Sequence, residues 1–452
     1  MIIESATSYF FTHLGILISG EKSGKVIGMP TSEVYADPHL IHQLLQVPKH
    51  HLDNGIQAQI YAGPEDTLVV FYPHVDEKLA ASLSQNLKVN SSIWNDLTGI
   101  NIHPKKTLLA FDSCEKMPEL KVLNIELRKG SLLEACIEKS ADSQQSLVGF
   151  IFSSGFQQSL QNKIPLPAGL ALLAAQTDFL MNKNSAMPFL KAAGLSTANT
   201  YIFNRSKFSL SQLKGLETQE YVFKPAGGAA GLGLFPKGNT GANTALLKKH
   251  LADLEQQGTL PANFQIQEFI PGPVWGVSGL FLPGKKWKIL QVHSQCIDER
   301  GRFTGGRWCL SFQREKLAFA ESLFSKLSEY EPFEYTGLIE FDLVGETIIE
   351  VNPRITASSP IGHLLSLENR IKARLGTDFR INQLDINTQV QFPRLSGKLR
   401  SVERLVKKTK SETGMLTLPQ GINPMGASRV LFVNDQEDSH YQRLFLKQLE
   451  QI

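Results

Sequence analysis

The chain of 452 residues has only four cysteines, Cys114, Cys136, Cys296 and Cys309, and no two of them form a CxxC pair. That spacing excludes a zinc knuckle and a disulfide framework, and free thiols in a reducing compartment are the simplest reading. Nor is a leader or a membrane span expected from the apolar run near the start. The apolar run Tyr9 to Ile18 contains His13, has no basic lead-in or cleavage site, and is too short to cross a bilayer, so a buried strand of a soluble, cytoplasmic protein is expected. Charge of one sign is not in excess. The 46 basic and 43 acidic residues give +3, too even a balance to argue for nucleic acid or an anionic membrane. No GxGxxG follows a strand-like run and no GK[ST] follows a glycine-rich loop, which argues against an independent dinucleotide site and a Walker P-loop. What remains is an ordinary globular composition, 42% hydrophobic, at a length suited to about two to four domains.

The stretch with the most chemistry is Gly337 to Thr356, GLIEFDLVGETIIEVNPRIT. It reads as two short strands rich in β-branched and aromatic residues, joined at a Gly-Glu turn. Alternation places Glu350 and Asn352 on one face, and Glu340 on the same face as Asp342. Convergence depends on register. A two-residue loop sets Glu350 opposite Phe341, whereas a three-residue loop sets it opposite Glu340 or Asp342, so an odd loop or a bulge that restores it is expected. Hard oxygen ligands on a rigid face, followed by Pro353 and Arg354, suit a magnesium ion completed by substrate phosphates. The alternative is a hairpin with one solvated face.

From Met1 to about Ala175 apolar strands, polar turns and amphipathic helices alternate, which argues for an open, mostly parallel sheet. Strands are expected at Thr67 to Tyr72, Thr107 to Phe111, Lys121 to Leu127 and Leu147 to Phe152, with a helix from Val75 to Leu87. Ser153-Ser154-Gly155 reads as a substrate-holding turn or a plain strand-to-helix turn, and Lys163 to Ala168 as a domain boundary. Gly169 to Ala193 is helical, broken before Pro188 and capped at Gly194. Strands Asn199 to Phe203 and Tyr221 to Lys224 follow, the second running into Pro225 to Gly233, whose glycines suit a loop with N–H groups close to phosphate oxygens or, alternatively, a flexible hairpin tip. Further on come a helix at Ala242 to Leu254, a strand at Phe264 to Ile270 and an antiparallel pair at Val274 to Leu282 and Lys286 to His293. Cys296 to Arg307 reads as a polar loop, for anion contact or solvated charge, and Ala318 to Glu329 as a helix. Beyond the hairpin, Ile361 to Leu375 is expected as helix, Leu384 to Arg394 as irregular or edge-like, Leu399 to Lys410 as a basic stretch, Arg429 to Val433 as strand and His440 to Leu449 as helix.

A lysine on a helix, a second lysine before a glycine-rich loop (FKPAGGAAGLG), a QEF hinge and a carboxylate hairpin ending in EVNPR together resemble the ATP-grasp superfamily over about Gly169 to Thr356. Biotin carboxylase offers a loop-by-loop comparison. The resemblance implies an α/β protein in which two α+β subdomains grip ATP, preceded by an open α/β domain. Its divisions would be 1–168, 169–395 with a lid at about 199–270, and a C-terminal subdomain at 396–452. It implies Lys183 and Lys224 on the phosphates, with the amides of Gly227, Gly228, Gly231 and Gly233 folded over them. Gln267, Glu268, Phe269 and Ile270 would form the adenine hinge. Glu340, Glu350 and Asn352 would be magnesium ligands, with manganese able to substitute, and Arg354 would stand beside the transferred phosphoryl group. Asp342 has no counterpart and is expected behind the ligands. The chain departs from the pattern at Asn182, where the family has Asp, and at Leu232, where it has a basic residue.

The activity implied is that of an ADP-forming, ATP-dependent ligase joining a small-molecule carboxylate to an amine through an acylphosphate, with Lys224 and Arg354 as catalytic groups. No nucleic-acid or membrane partner is implied, and a homodimer is compatible. Alternatives are a bicarbonate-using, carboxylase-like enzyme and a non-catalytic nucleotide-binding protein. The segment Ile355 to Ser359 lacks the base that would favour the carboxylase. Thr356 to Ser359 reads as hydroxyl donors for a substrate carboxylate or as an N-cap, and His293 as a proton acceptor or a structural histidine.

Overall fold

The apolar runs near the N-terminus form strands in the structure, a computed structural model that describes residues 15–16, 25–28, 58–71, 77–111, 125–129, 146–148, 154, 170–216, 219–227, 233–236, 240–298, 303–366, 379–385, 399–419, 429–434 and 439–451. Strands β1 (Gly15–Ile16), β2 (Lys25–Gly28), β3 (Thr67–Phe71), β4 (Lys106–Phe111), β5 (Ile125–Lys129) and β6 (Ser146–Val148) make a sheet in the order β1-β6-β2-β3-β4-β5. Its pairs are parallel except β1 on β6, as the alternating pattern led us to expect. Helix α1 (Glu77–Thr98) supplies the crossover that parallel β3 and β4 require. The boundary run 163–168 lies outside the described residues.

Helices α2 (Leu170–Met181) and α3 (Lys183–Ala192) then meet at Asn182. The break falls there and not before Pro188, because the Asn182 side chain accepts from the Asn184 N–H and starts a new helix, while Pro188 is accommodated inside α3. The far end closes as a Schellman motif: Leu195 donates to Leu190 O at 3.1 Å, Gly194 to Lys191 O at 3.0 Å, and Gly194 has φ +76°.

A small antiparallel sheet follows, β7 (Thr200–Asn204), β8 (Tyr221–Pro225) and β9 (Asn263–Glu268) in the order β7-β9-β8, with helix α4 (Thr244–Gln256) on one face. Tyr221, Phe223, Phe264, Ile266, Leu247 and Leu251 fill that core. The same alternation turns Lys224 to the other face.

The remaining strands, β10 (Val274–Leu282), β11 (Lys286–Ile297), β12 (Phe303–Cys309), β13 (Gly337–Val344), β14 (Thr347–Asn352), β15 (Arg380–Asp385), β16 (Leu416–Pro419) and β17 (Arg429–Asn434), form a large antiparallel sheet ordered β14-β13-β10-β11-β12-β15-β17-β16. Helices α5 (Leu310–Glu329), α6 (Ser359–Ser366), α7 (Leu399–Thr413) and α8 (Ser439–Gln451) complete the described elements. One sheet face buries Val277, Phe281, Val292, Ile339 and Phe341 with residues of α3 and α5. The other buries Leu280, Trp308, Leu338 and Ile381 in a core shared with Ile60, Tyr61 and Trp94 of the N-terminal unit.

Several expectations change here. The supposed polar loop 296–307 is largely strand, since β11 runs on to Ile297 and β12 begins at Phe303. Its glycines serve close approach: a Cβ on Gly305 would stand 2.0 Å from Gln383 O. Arg380–Asp385 is a strand inside the sheet, where irregular or edge-like chain was expected from Leu384, the rest of that stretch lying outside the described residues, and the basic stretch is helix α7. The division expected at residue 395 falls inside the large sheet, because β16 and β17 are its last two strands. Among the described residues no helix is long and apolar enough to cross a membrane.

Candidate functional site

The β13–β14 hairpin turns through Gly345 and Glu346, with Val344 opposite Thr347 and Leu343 opposite Ile348. A two-residue turn would leave the carboxylates out of phase. A bulge at Ile349 restores them, so Asp342 faces Glu350 and Glu340 faces Asn352.

Around the Asp342–Glu350 pair the polar side chains interlock. Gln295 Nε2 donates to Asp342 Oδ1 at 2.5 Å, and Asn352 Nδ2 donates to Asp342 Oδ2 at 3.1 Å. Arg354 Nη2 donates to Asn352 Oδ1 at 2.8 Å. Lys183, the first residue of α3, brings Nζ to 3.4 Å from Glu350 Oε1, while Lys224 donates from Nζ to Ile349 O at 3.0 Å. Lysines from two elements thus reach the same strand as the arginine. Burial pushes Glu350 up, but Lys183, Lys224 and Arg354 together outweigh it and hold its carboxyl below the usual range. Burial, then the charges of Glu340 and Glu350, push Asp342 well above its ordinary value against Gln295 and Arg354. Burial also lowers Lys224, with Glu350 and Asp342 opposing and Lys183 assisting.

Glu340 shares this face but lies deeper, 3% exposed. Its Oε2 accepts from Ser278 Oγ at 2.6 Å, Thr356 Oγ1 at 2.6 Å and Ser358 Oγ at 2.5 Å. The hydroxyls of Thr356 and Ser358 are therefore taken up by Glu340, and the expectation that they meet a substrate carboxylate gives way. Ser359 opens α6, and its Oγ accepts from Thr356 N at 2.9 Å. His293 is fully buried with Nε2 3.9 Å from Glu340 Oε1, and burial lowers its pKa against the pull of that carboxylate. Enclosed between Gly276 and Gly306, where a Cβ would collide with or crowd the ring, it is structural and not a proton acceptor for the cleft.

The hinge Gln267–Ile270 leaves β9 where Glu268 N donates to Asn199 O at 2.8 Å and Asn199 Nδ2 donates to Glu268 Oε2 at 2.7 Å. Phe269 N donates to Glu220 O at 2.9 Å. The linker before β7 is bonded to the carboxylate strand as well, through Ala198 N to Ile348 O at 3.1 Å and Ile348 N to Ser196 O at 2.9 Å. Of the glycine-rich loop, Gly227 and Gly233 are described, whereas Gly228, Gly231 and Leu232 lie outside the described residues. Lys183 N donates to Ala226 O at 2.8 Å, and Phe223 and Phe235 exchange backbone bonds at 2.7 and 3.1 Å, so the loop leaves and returns beside both lysines. Ser154 N bonds Asp178 Oδ2 at 3.0 Å, a tie between the N-terminal unit and α2.

Sequence reasoning weighed His293 but missed Gln291 and Gln295 beside it beneath the hairpin. Gln291, His293 and Gln295 recur at period two on β11, a visible signal of one polar sheet face. Hard oxygens of Glu340, Asp342, Glu350 and Asn352 suit magnesium. Among the described residues no group of three or more His, Cys, Asp or Glu side chains could by itself hold a metal ion.

Residues 178–358 match the family model of the ATP-grasp domain, and the chain carries an ATP-grasp domain over that span. No curated protein matches by sequence. A crystal structure of the ADP complex of N5-carboxyaminoimidazole ribonucleotide synthetase superposes with a TM-score of 0.51 at 15% identity, over 86% of this chain and 99% of that one. The biotin carboxylase–beta-gamma-ATP complex from Campylobacter jejuni gives 0.52 at 11% identity, over 77% and 85%. The biotin carboxylase domain of Hydrogenobacter thermophilus 2-oxoglutarate carboxylase, with MgADP, ADP and bicarbonate, gives 0.50 at 13% identity, over 78% and 84%. Identities this low establish a common fold, a mixed α/β architecture with the ATP-grasp sheet, and nothing finer.

Proposed function

We propose that the protein is an ATP-dependent, ADP-forming ligase that joins a small-molecule carboxylate to an amine through an acylphosphate. The observation that carries this reading is the convergence of Lys183, Lys224 and Arg354 on the bulged strand that bears Glu350 and Asn352. Attack of a carboxylate on a γ-phosphoryl group brings two anions together, and cations fixed at the point of contact offset that repulsion. The nucleotide-bound states of the structural relatives agree with a nucleotide in this cleft.

In this reading Lys183 and Lys224 hold the phosphates, the hinge Gln267–Ile270 reads the adenine edge, and Arg354 stabilises the transferring group. Glu340, Glu350 and Asn352, with Asp342 beside them on the same face, would hold magnesium, which supplies positive charge to the phosphate chain when bound. Asp342 faces Glu350 and bonds Asn352, and Glu340 stands opposite Asn352 on the same face. The loop bounded by Gly227 and Gly233 closes over the phosphates and keeps water from the acylphosphate. The amine arrives neutral, so no dedicated base is required.

The test is a panel of carboxylates crossed with amines, read by ADP release and product mass, with oxygen-18 in the carboxyl group of any acid that reacts. ADP formation should require both substrates, and label should reach phosphate because the carboxyl oxygen bonds to phosphorus before the amine displaces it. ADP release with bicarbonate as the sole acid would replace this reading with the carboxylase.

A further inference from the structure

We infer that Gln295 is a positioning residue: reaching across an intervening strand, it fixes the Asp342 carboxylate and, through it, the direction in which the Asn352 carboxamide faces. That this face receives a metal ion and phosphates rests on the ligase reading, whereas the chain of contacts is geometric. Gln295 stands on β11 and Asp342 on β13 with β10 between them, so two strand spacings of about 5 Å each must be crossed. Gly276 makes the crossing possible. It is the residue of β10 paired with both His293 and Asp342, and a Cβ built there would stand 3.1 Å from Gln295 Nε2 and 2.5 Å from His293 Cε1. With no side chain at that position, Gln295 Nε2 passes over the glycine and donates to Asp342 Oδ1 at 2.5 Å.

The strands are already paired through their backbones, so the amide bridge adds nothing to the ladder. What it adds is direction. An ionised carboxylate only accepts, and the two oxygens of Asp342 each face an N–H donor, Gln295 Nε2 at Oδ1 and Asn352 Nδ2 at Oδ2, the latter at 3.1 Å. Asn352 Oδ1 in turn accepts from Arg354 Nη2 at 2.8 Å. Turning the Asn352 carboxamide over would set its oxygen against the carboxylate and its NH2 against the guanidinium, two repulsive contacts in place of two attractive ones. The carbonyl oxygen of Asn352, the atom that a hard cation can use, is thereby held on the Arg354 side. Asn352 is buried, so these neighbours and not bulk water decide what it faces. Arg354 is referenced to the same residue a second time, through Arg354 N to Asn352 O at 2.9 Å.

Four proteins test this: wild type, Gln295→Met, Asp342→Asn and the double variant. Calorimetry measures ADP binding to each with and without magnesium. Gln295→Met removes the donor and keeps the length of the side chain, so it should bind ADP alone within about twofold of wild type but lose about tenfold of the strengthening that magnesium brings. Because Gln295 acts through Asp342, the double variant should be no worse than Asp342→Asn alone. Losses that add in full overturn the proposal. So does a Gln295→Met protein with the wild-type response to magnesium, even one that melts lower, since a merely structural bridge would behave in that way. Wild type that binds magnesium–ADP but joins no acid to any amine would refute the ligase reading and leave this comparison intact. If magnesium does not strengthen ADP binding by wild type, the metal reading fails and hydrogen exchange of residues 350–354 without nucleotide decides. Exchange should quicken in Gln295→Met, and unchanged protection overturns the proposal. Where Gln295→Met fails to fold, Gln295→Ser, which stays polar but cannot span β10, carries the same comparisons.

Discussion

Burial and the charges of Glu340 and Glu350 all oppose ionisation of Asp342, with Gln295 and Arg354 offsetting them only in part. A carboxyl raised in the folded state holds its proton longer than the unfolded chain does, so its contribution to stability falls as pH rises from the ordinary carboxylate value through the raised one. Asp342→Asn removes that loss and should melt no lower than wild type near neutral pH without magnesium. Adding magnesium–ADP should then stabilise the variant far less than wild type, because a ligand stabilises only as well as it binds. Thermal melts across pH with and without magnesium check both parts, and a variant as strongly stabilised as wild type would remove Asp342 from the metal site. Glu350 differs, since Lys183, Lys224 and Arg354 hold it charged despite its burial. Glu350→Gln should keep the fold and lower turnover at least about a hundredfold, while nucleotide affinity becomes nearly independent of magnesium. At this scale the order of the motifs singled out Lys183, Lys224, Glu350 and Asn352, which the structure brings together on one strand. Period two puts Glu340 and Asp342 on one face, whereas the hydroxyls that meet Glu340 come from residues 278, 356 and 358, too far apart in sequence to be read as one cluster.

The bulge in β14 is the element on which the site turns, and the mismatch between a Gly-Glu turn and a convergent carboxylate pair already pointed to it. Strand β12 was illegible for the opposite reason, since FTGGRWC has the glycines and charge of a loop. Those glycines become intelligible only once the partner strand is known. Gly305 faces Gln383 O on β15 so closely that a Cβ would lie 2.0 Å from it, and backbone cannot yield as a side-chain tip can. Gly305→Ala should therefore cost about 2–4 kcal/mol, against about 1 kcal/mol for Gly284→Ala, where a positive φ is the sole penalty. Urea unfolding of the two variants compares them directly, and similar midpoints would show that β12 and β15 can part without loss. Helix α3 shows local chemistry overriding a simple rule: Asn182 with its cap defined the break, and Pro188 did not.

Across the whole molecule, the linker 196–199 bonds both to β14 through Ile348 and to the hinge through Glu268, so the lid sheet and the carboxylate hairpin are tied at one point. One core is shared by elements from the first and the last of the three expected divisions. Helix α1 lies against α7 and β16, Lys407 Nζ stands 3.3 Å from Asp96 Oδ2, and Trp94, Ile93 and Leu97 share one core with Leu405, Val406, Met415 and Leu416. Sequence patterns are local, so a core assembled from residues about three hundred positions apart leaves no periodic trace. The consequence concerns cooperativity. If these residues form one core, Trp94→Ala removes a fully buried indole and should cost about 3–5 kcal/mol, felt by β16 and α7 as much as by the N-terminal sheet. Hydrogen exchange near Leu416 and Val406 should quicken together with exchange near Val70, while Ile266 in the lid core keeps its protection. By the same argument a fragment of residues 169–452 exposes the apolar faces that α1 covers, and it should bind a hydrophobic dye and lack a sharp thermal transition. A fragment that melts sharply, or a Trp94→Ala protein in which only the N-terminal strands lose protection, would mean that the N-terminal unit is a separable domain resting on an independently stable grasp.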